Sequence, residues 1–148
     1  MSDVDLIAAT NGPGPTGALI VGLTFAKGLA LSAKKPFVPV NHIEAHMFAA
    51  TAENEVEYPF LALVISGGHT LLAIVRDTDD YEIIGRTRDD AAGEALDKGA
   101  KILGLPMPGG LNLALRAEKG QRGTPDGTRF PRAYLKPSFD FSFSGVKT

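Results

Sequence analysis

The chain has 148 residues, of which 44% are hydrophobic and 22% charged. That balance excludes disorder throughout and leaves enough apolar material for a core. With no cysteine, disulfides and thiolate metal sites are excluded, so a metal would have to be held by His, Asp or Glu.

The net charge of −2 is unevenly spread. Residues 1–100 carry 7 Lys and Arg against 14 Asp and Glu, and residues 101–148 carry 8 against 3. The later segment therefore has an excess of +5, which suits an anionic partner. No uninterrupted apolar run reaches the roughly 18 residues of a membrane span. The opening, Met1 to Leu6, lacks the basic and apolar blocks of a signal peptide. Together with the missing cysteines, this reads as a cytoplasmic protein without a membrane partner.

Residues 6–10 are short and apolar and predict a strand. The breaker cluster at residues 11–17 predicts a loop, and residues 18–33 a buried helix in which Gly22 and Gly28 permit close packing. Pro36 ends that helix. Residues 37–40 read as a second strand, after which Asn41 caps a further helix, with Glu44 as its capping-box partner. Polarity rises at residues 51–57, where a domain boundary is expected, dividing the chain into residues 1–54 and 55–148.

Strands at residues 60–65, 70–75 and 81–86, joined by turns at 66–68 and 77–80, then predict an antiparallel meander. Asp89 and Asp90 are expected to open a long helix through Leu103, stopped by Gly104. Residues 120–137 read as a basic loop. Phe139, Phe141 and Phe143 alternate with polar residues, a half-buried strand pattern.

Gly12-Pro13-Gly14-Pro15-Thr16-Gly17 matches the letters of a dinucleotide fingerprint, but Pro13 and Pro15 supply no N–H to a pyrophosphate. No acid stands at the end of the next strand to hold a ribose. His42 and His46, four apart on a helix, share a face and can reach one metal ion; the alternative is a hydrogen-bonded surface pair. Glu44 is rotated about 200° from His42, so a metalloprotease arrangement fails on geometry.

Ser66-Gly67-Gly68 at a hairpin tip can cradle an anion, or its glycines can simply serve the turn. His69 reads as a packed or capping histidine. Asp90, Glu94 and Asp97 form an acidic stripe, ordinarily a solvated face, and Pro108-Gly109-Gly110 a breaker or a ligand-approach loop. Arg116, Lys119, Arg122, Arg129, Arg132 and Lys136 can meet phosphates or form a solvated loop.

Several of these segments taken together resemble the tRNA N6-adenosine threonylcarbamoyltransferase family, formerly known as glycoproteases. The resemblance is carried by Gly12 to Gly22, Asn41 to His46, Val64 to Thr70 and Asp89 to Lys98. It continues through Pro108-Gly109-Gly110 and Phe141 to Thr148, in the family's order along nearly the whole chain. It implies an α/β chain of the actin, sugar-kinase and Hsp70-like (RNase H-like) fold. This would be a central fragment, spanning the end of the first lobe and the start of the second and inactive on its own.

By resemblance His42 and His46 are metal ligands. Val64, Ile65, Ser66, Gly67, Gly68, Asp97 and Gly110 line a site for threonylcarbamoyl-AMP. The implied reaction is attack by N6 of adenosine 37, in tRNAs reading ANN codons, on the carbamoyl carbonyl with loss of AMP. Two histidines plus a carboxylate suit Fe(II), with Zn(II) next; the family's aspartate ligand lies beyond Thr148. Implied partners are tRNA, with Arg129 and Arg132 as contacts, an inactive paralogue that lacks the histidine pair, and a P-loop ATPase.

Departures from the family pattern are Pro15, Met107, Leu111 and Ala114, which bear on ligand affinity. The alternatives are a sugar or acetate kinase of the same fold, which would not need the histidines, and a non-catalytic partner-binding module.

Overall fold

The computed structural model describes residues 2–120 and 132–147, apart from the side chain of Glu53. The chain divides into two compact units, Met1–Val56 and Glu57–Thr148.

In the first unit the elements are β1 (Ile7–Gly12), α1 (Thr16–Ala33), β2 (Phe37–Asn41) and α2 (His42–Glu53). β1 and β2 run parallel, Ile7 opposite Phe37, with a register shift before Gly12 meets Asn41. Parallel neighbours need a crossover connection, and α1 provides it. Ala26 and Ala30 of α1 are buried, as are Ile43 and Met47 of α2. The small alanines let α1 lie close on the strand pair.

α1 ends at Lys34, which takes the left-handed conformation (φ 52°) and gives its N–H to the carbonyls of Ala30 and Leu31. Pro36 then keeps the chain extended into β2. By length and composition α1 is apolar enough to cross a membrane, although Thr24, Lys27 and Ser32 interrupt the run. Lys27 rests its ammonium over the Phe37 ring, 5.8 Å from its centroid.

The second unit opens with β3 (Phe60–Ile65), β4 (Thr70–Val75) and β5 (Tyr81–Arg86), an antiparallel meander in the order β3-β4-β5. Alternation puts Val64, Leu71, Ala73 and Val75 on the buried face and Leu61, Leu63 and Ile65 on the other. α3 (Ala92–Ile102), α4 (Gly109–Glu118) and a 3₁₀ turn (Ser144–Lys147) follow. Gly104, at φ 67°, closes α3: its N–H reaches Lys101 O and that of Leu105 reaches Ala100 O. This is the paired bonding of a Schellman stop, which glycine allows without strain.

Four expectations need correction. α1 is not a buried helix: Ala26 and Ala30 are buried, but Ile20, Val21, Phe25 and Leu31 are exposed. Asp89 and Asp90 do not open α3, which starts at Ala92, because both carboxylates are held by residues 142–147 and Lys98. Pro108-Gly109-Gly110 does not break the chain into a loop; Pro108 caps α4, and both glycines lie in its first turn. Residues 139–143 do not form a strand. Phe141 alone bridges to Thr87, with Phe141 N bonded to Arg86 O and Arg88 N to Phe141 O. The ladder ends there because the next donors, on Ser142, Phe143 and Ser144, turn to Asp89.

That single bridge depends on Gly85. A Cβ at Gly85 would lie 2.2 Å from the carbonyl oxygen of Phe139, and backbone cannot give way cheaply. Gly85→Ala is therefore expected to destabilise the folded protein by about 1–3 kcal/mol, as overpacking does. Urea unfolding checks it, and an unchanged midpoint would show that residues 139–141 are not held against β5.

Candidate functional site

In the first unit the C-terminal ends of two parallel strands come together. Gly12 faces Asn41, so the loop at residues 13–15 and the first turn of α2 share one edge of the strand pair. Asn41 is both the last residue of β2 and the cap of α2. Its Oδ1 accepts the N–H of Ile43 at 2.8 Å and that of Glu44 at 3.4 Å. This cap starts the helix at His42 and places His46 one turn later on the same face.

The two Nε2 atoms are 3.2 Å apart, with ring centroids at 4.4 Å and planes at 65°. The spacing fits an N–H···N bond. It also fits two nitrogens reaching one ion, since it is well below the roughly 4 Å of two Zn–N bonds end to end. Among the described residues no group of three or more His, Cys, Asp or Glu is placed to hold a metal ion, so the unit supplies a pair of donors.

In the second unit the site is built around α3. The hairpin loop between β3 and β4 is closed by Ser66 N to His69 O at 2.8 Å, while Ser66 Oγ accepts His69 N at 3.0 Å. Neither Gly67 nor Gly68 has a positive φ, so the turn does not need glycine for its backbone. A Cβ on either would meet nothing within 4 Å, so that side of the loop is open. Val64 is buried in the sheet and offers backbone only, whereas the Ile65 side chain is exposed.

α3 abuts this loop at Gly93, whose N–H donates to Ser66 O at 3.2 Å. A Cβ there would lie 2.6 Å from that same oxygen. One residue earlier, Ala92 N donates to the buried Thr70 Oγ1 at 2.9 Å. A turn further along α3, Asp97 Oδ1 accepts Gly109 N at 2.8 Å and Gly110 N at 3.3 Å. Asp97 thus acts as N-cap for α4, whose own cap residue, Pro108, has no polar side chain. Gly109 lies so close to α3 that a Cβ would be 2.6 Å from Asp97 Cα. The sequence-predicted residues 64–68, Asp97 and Gly110 are therefore joined through one helix.

The acidic stripe on and before α3 is only partly a solvated face, since the Glu94 side chain is 42% exposed but Asp90 is not. Asp90 is nearly buried and bonds Lys98 at 2.7 Å and Lys147. Glu94 also pairs with Lys98 at 2.7 Å. Asp89 accepts Ser142 Oγ at 2.5 Å, Phe143 N at 2.8 Å, Ser144 Oγ at 2.8 Å and Ser144 N at 3.1 Å. Asp140 accepts Arg86 N and pairs with Arg88. Sequence reasoning missed Thr70 and Gly93 as parts of the loop's support, and Asp89 as a partner of residues 142–144. Nothing local announces contacts more than fifty residues apart.

Of the basic residues, Arg122 and Arg129 lie outside the described residues. Arg116 is in the last turn of α4, Lys119 follows it, and Arg132 is exposed. Beyond Arg132, an open cleft of about 530 Å³ is lined by Tyr134, Lys136, Phe139, Phe141 and Phe143 among others. The Lys136 ammonium lies 5.0 Å from the centroid of the exposed Tyr134 ring.

These bonds set the titration of the second unit. The Ser142 hydroxyl, then the Phe143 N–H, hold the Asp89 carboxyl well below the ordinary carboxylate range. The Lys147 and then the Lys98 ammonium lower Asp90, the Lys98 ammonium lowers Glu94, and the Arg86 N–H followed by Arg88 lowers Asp140. A carboxylate depressed in the folded state contributes stability that is complete above its unfolded pKa and is lost as pH falls through the folded one. Stability should therefore be level above about pH 5 and decline below about pH 4. Asp89→Asn, which no longer titrates, should make that decline shallower. Urea midpoints measured from pH 7 down to 3 check this, and parallel slopes would refute it.

The fold and site together describe an α/β protein with a paired-histidine helix and a glycine loop seated on a helix. The family model described as tRNA N6-adenosine threonylcarbamoyltransferase matches residues 1–148. A tRNA N6-adenosine threonylcarbamoyltransferase of Endomicrobium trichonymphae is 54% identical over 98% of the chain and 42% of its own length. Those of Desulfotalea psychrophila and Kosmotoga olearia are 52% and 51% identical over the whole chain, covering 43% and 44% of their lengths. The chain belongs to the tRNA N6-adenosine threonylcarbamoyltransferase family. It spans less than half the length of these curated relatives.

Proposed function

We propose that this chain is the part of a threonylcarbamoyl transferase that carries two metal-ligand histidines and the loop for the adenylate. The reaction is transfer of the threonylcarbamoyl group from threonylcarbamoyl-AMP to N6 of adenosine 37 in tRNA. Supporting this are the family match along the whole chain and, as the observation that carries it, the convergence of the His42 and His46 Nε2 atoms at 3.2 Å. A sugar or acetate kinase would have no use for that pair.

Family membership implies the actin-like fold. The change from parallel pairing in residues 1–54 to an antiparallel meander in residues 55–148 supports reading them as the end of one lobe and the start of the next.

His42 and His46 would hold a divalent ion, Fe(II) ahead of Zn(II), with a carboxylate from outside this chain as third ligand. When bound, such an ion supplies Lewis acidity toward a carbonyl or phosphate oxygen. The chain's own work is binding. The open side of Gly67 and Gly68 admits the backbone approach that a phosphate needs. Asp97, holding Gly109 and Gly110, fixes where α4 begins. Arg132, with Lys136 and Tyr134 beside it, offers charge and an aromatic face to tRNA.

In the intact protein, His42→Ala or His46→Ala is expected to remove bound metal. Transfer should fall by about a hundredfold or more, since even losing a partner of a ligand costs about 10–100-fold. Glu44→Ala, on another face of α2, should do neither. Metal analysis and an AMP-release assay decide it; a metal-free, folded Glu44→Ala protein would sink the assignment. Arg132→Ala should weaken tRNA binding and flatten its logarithmic salt slope by about 0.7–0.9. An unchanged slope would leave Arg132 as a solvated residue.

A further inference from the structure

We propose that Asp89 and Asp90 are positioning residues for the glycine loop at residues 66–68, acting through the first turn of α3. The proposal rests on the reading of residues 64–68, Asp97 and Gly110 as the adenylate site.

Asp89 does not itself face that loop. Its carboxylate accepts from the hydroxyls of Ser142 and Ser144 and the N–H groups of Phe143 and Ser144. Asp90 adds Lys147 from the same segment and Lys98 from α3. Immediately after this pair come Ala91, Ala92 and Gly93. The first N–H groups of a helix have no partner within it. Here Ala91 N donates to Glu94 Oε2, Ala92 N to Thr70 Oγ1 and Gly93 N to Ser66 O. Two of the three are thus committed to the hairpin, at the base and the start of its loop.

The contact at Gly93 is stiff in both directions. Moving the turn toward the loop brings Gly93 against Ser66 and Gly67, which already lie within 2.9 Å of where a Cβ would be. Moving it away breaks the bond to Ser66 O. A displacement of α3 is therefore passed to the loop, and the anchor against displacement is the pair Asp89–Asp90 gripping residues 142–147. The same helix carries Asp97 and through it the start of α4, so that contact shifts along with the loop. At a reacting centre a misplacement of about 1 Å can cost about a hundredfold in rate, and a ligand held by the same groups loses affinity in the same direction.

The test is AMP binding by the intact protein, measured by calorimetry below the melting range of every variant, together with hydrogen exchange at the Gly93 amide. Asp89→Ala should raise the AMP Kd by about tenfold or more and speed Gly93 exchange. Asp89→Asn can still accept from Phe143 N and Ser144 N and donate to the seryl oxygens, so it should stay within about threefold of wild type. The double variant Ser142→Ala with Ser144→Ala should reproduce the Asp89→Ala loss, and combining all three should add little further.

Val75→Ala, in the core at the far end of β4 from the loop, controls for lost stability and should leave AMP affinity unchanged. Asp89→Ala binding AMP like wild type would overturn the proposal alone. Val75→Ala weakening AMP as much as Asp89→Ala would also overturn it, because the effect would then follow stability. A wild type that binds no AMP would overturn both the proposal and the adenylate reading on which it rests.

Discussion

The second unit depends on a carboxylate that reaches across the sequence. Asp89 collects hydrogen bonds from residues 53 to 55 positions later, in a stretch of chain that has only one strand bridge to hold it. Hydrogen bonds to an ionised acceptor are worth roughly twice neutral ones, and Asp89, although exposed, gathers four of them on one carboxylate. Without them, the chain after Phe141 would have to find another ladder, and the first turn of α3 would lose its outer support. By contrast, Arg76 pairs with Glu82 and Asp80 on the open surface, where ion pairs contribute little. Asp89 is exposed as well, so what separates the two groups of acids is the span of chain they tie together, more than fifty residues for Asp89 against six at most for Arg76.

What makes the clamp consequential is the absence of side chains at three positions. Gly85, Gly93 and Gly109 each have backbone within 2.6 Å of where a Cβ would be. None of the three has a left-handed φ, so conformational freedom is not the reason for glycine there. They are places where one backbone rests on another: residues 139–141 on β5, α3 on the hairpin loop, α4 on α3. Each close approach carries at least one polar link. In this way a small sheet, two short helices and a turn hold one another with little apolar volume between them, since Val75 is the largest side chain that is fully buried.

The strands and the α1 and α2 helices were legible in the sequence because their signals are local. Short apolar runs between turn signals mark β3 to β5, Pro36 marks the end of α1, and Asn41 before His42 marks the start of α2. α4 was hidden because its cap is not next to it in sequence. Asp97, twelve residues before Gly109, does the work a Ser or Asp would do at position 108. The phenylalanine alternation at residues 139–143 misled for the opposite reason. A local pattern was present, but Asp89 competes for the same donors and wins with charge. The loop at residues 66–68 was found by its glycines, while Thr70 and Gly93, which hold it in place, look like ordinary strand and helix residues.

The two units also present their candidate sites by different means, and the strand pairing explains why. Parallel strands direct their carboxyl ends to one edge, which is where open α/β sheets hold their ligands. At that edge of the first unit β2 runs straight into α2, and the histidine pair begins at the residue after the strand. An antiparallel meander has no such edge, because its strands end alternately on both sides. A ligand loop there must be a hairpin tip, and a hairpin tip alone is mobile, with two strands for support on one side only. The first turn of α3, pressed onto Ser66 through Gly93, supplies the missing side. The residues that fix that turn therefore belong to the site's construction as much as the glycines that leave it open.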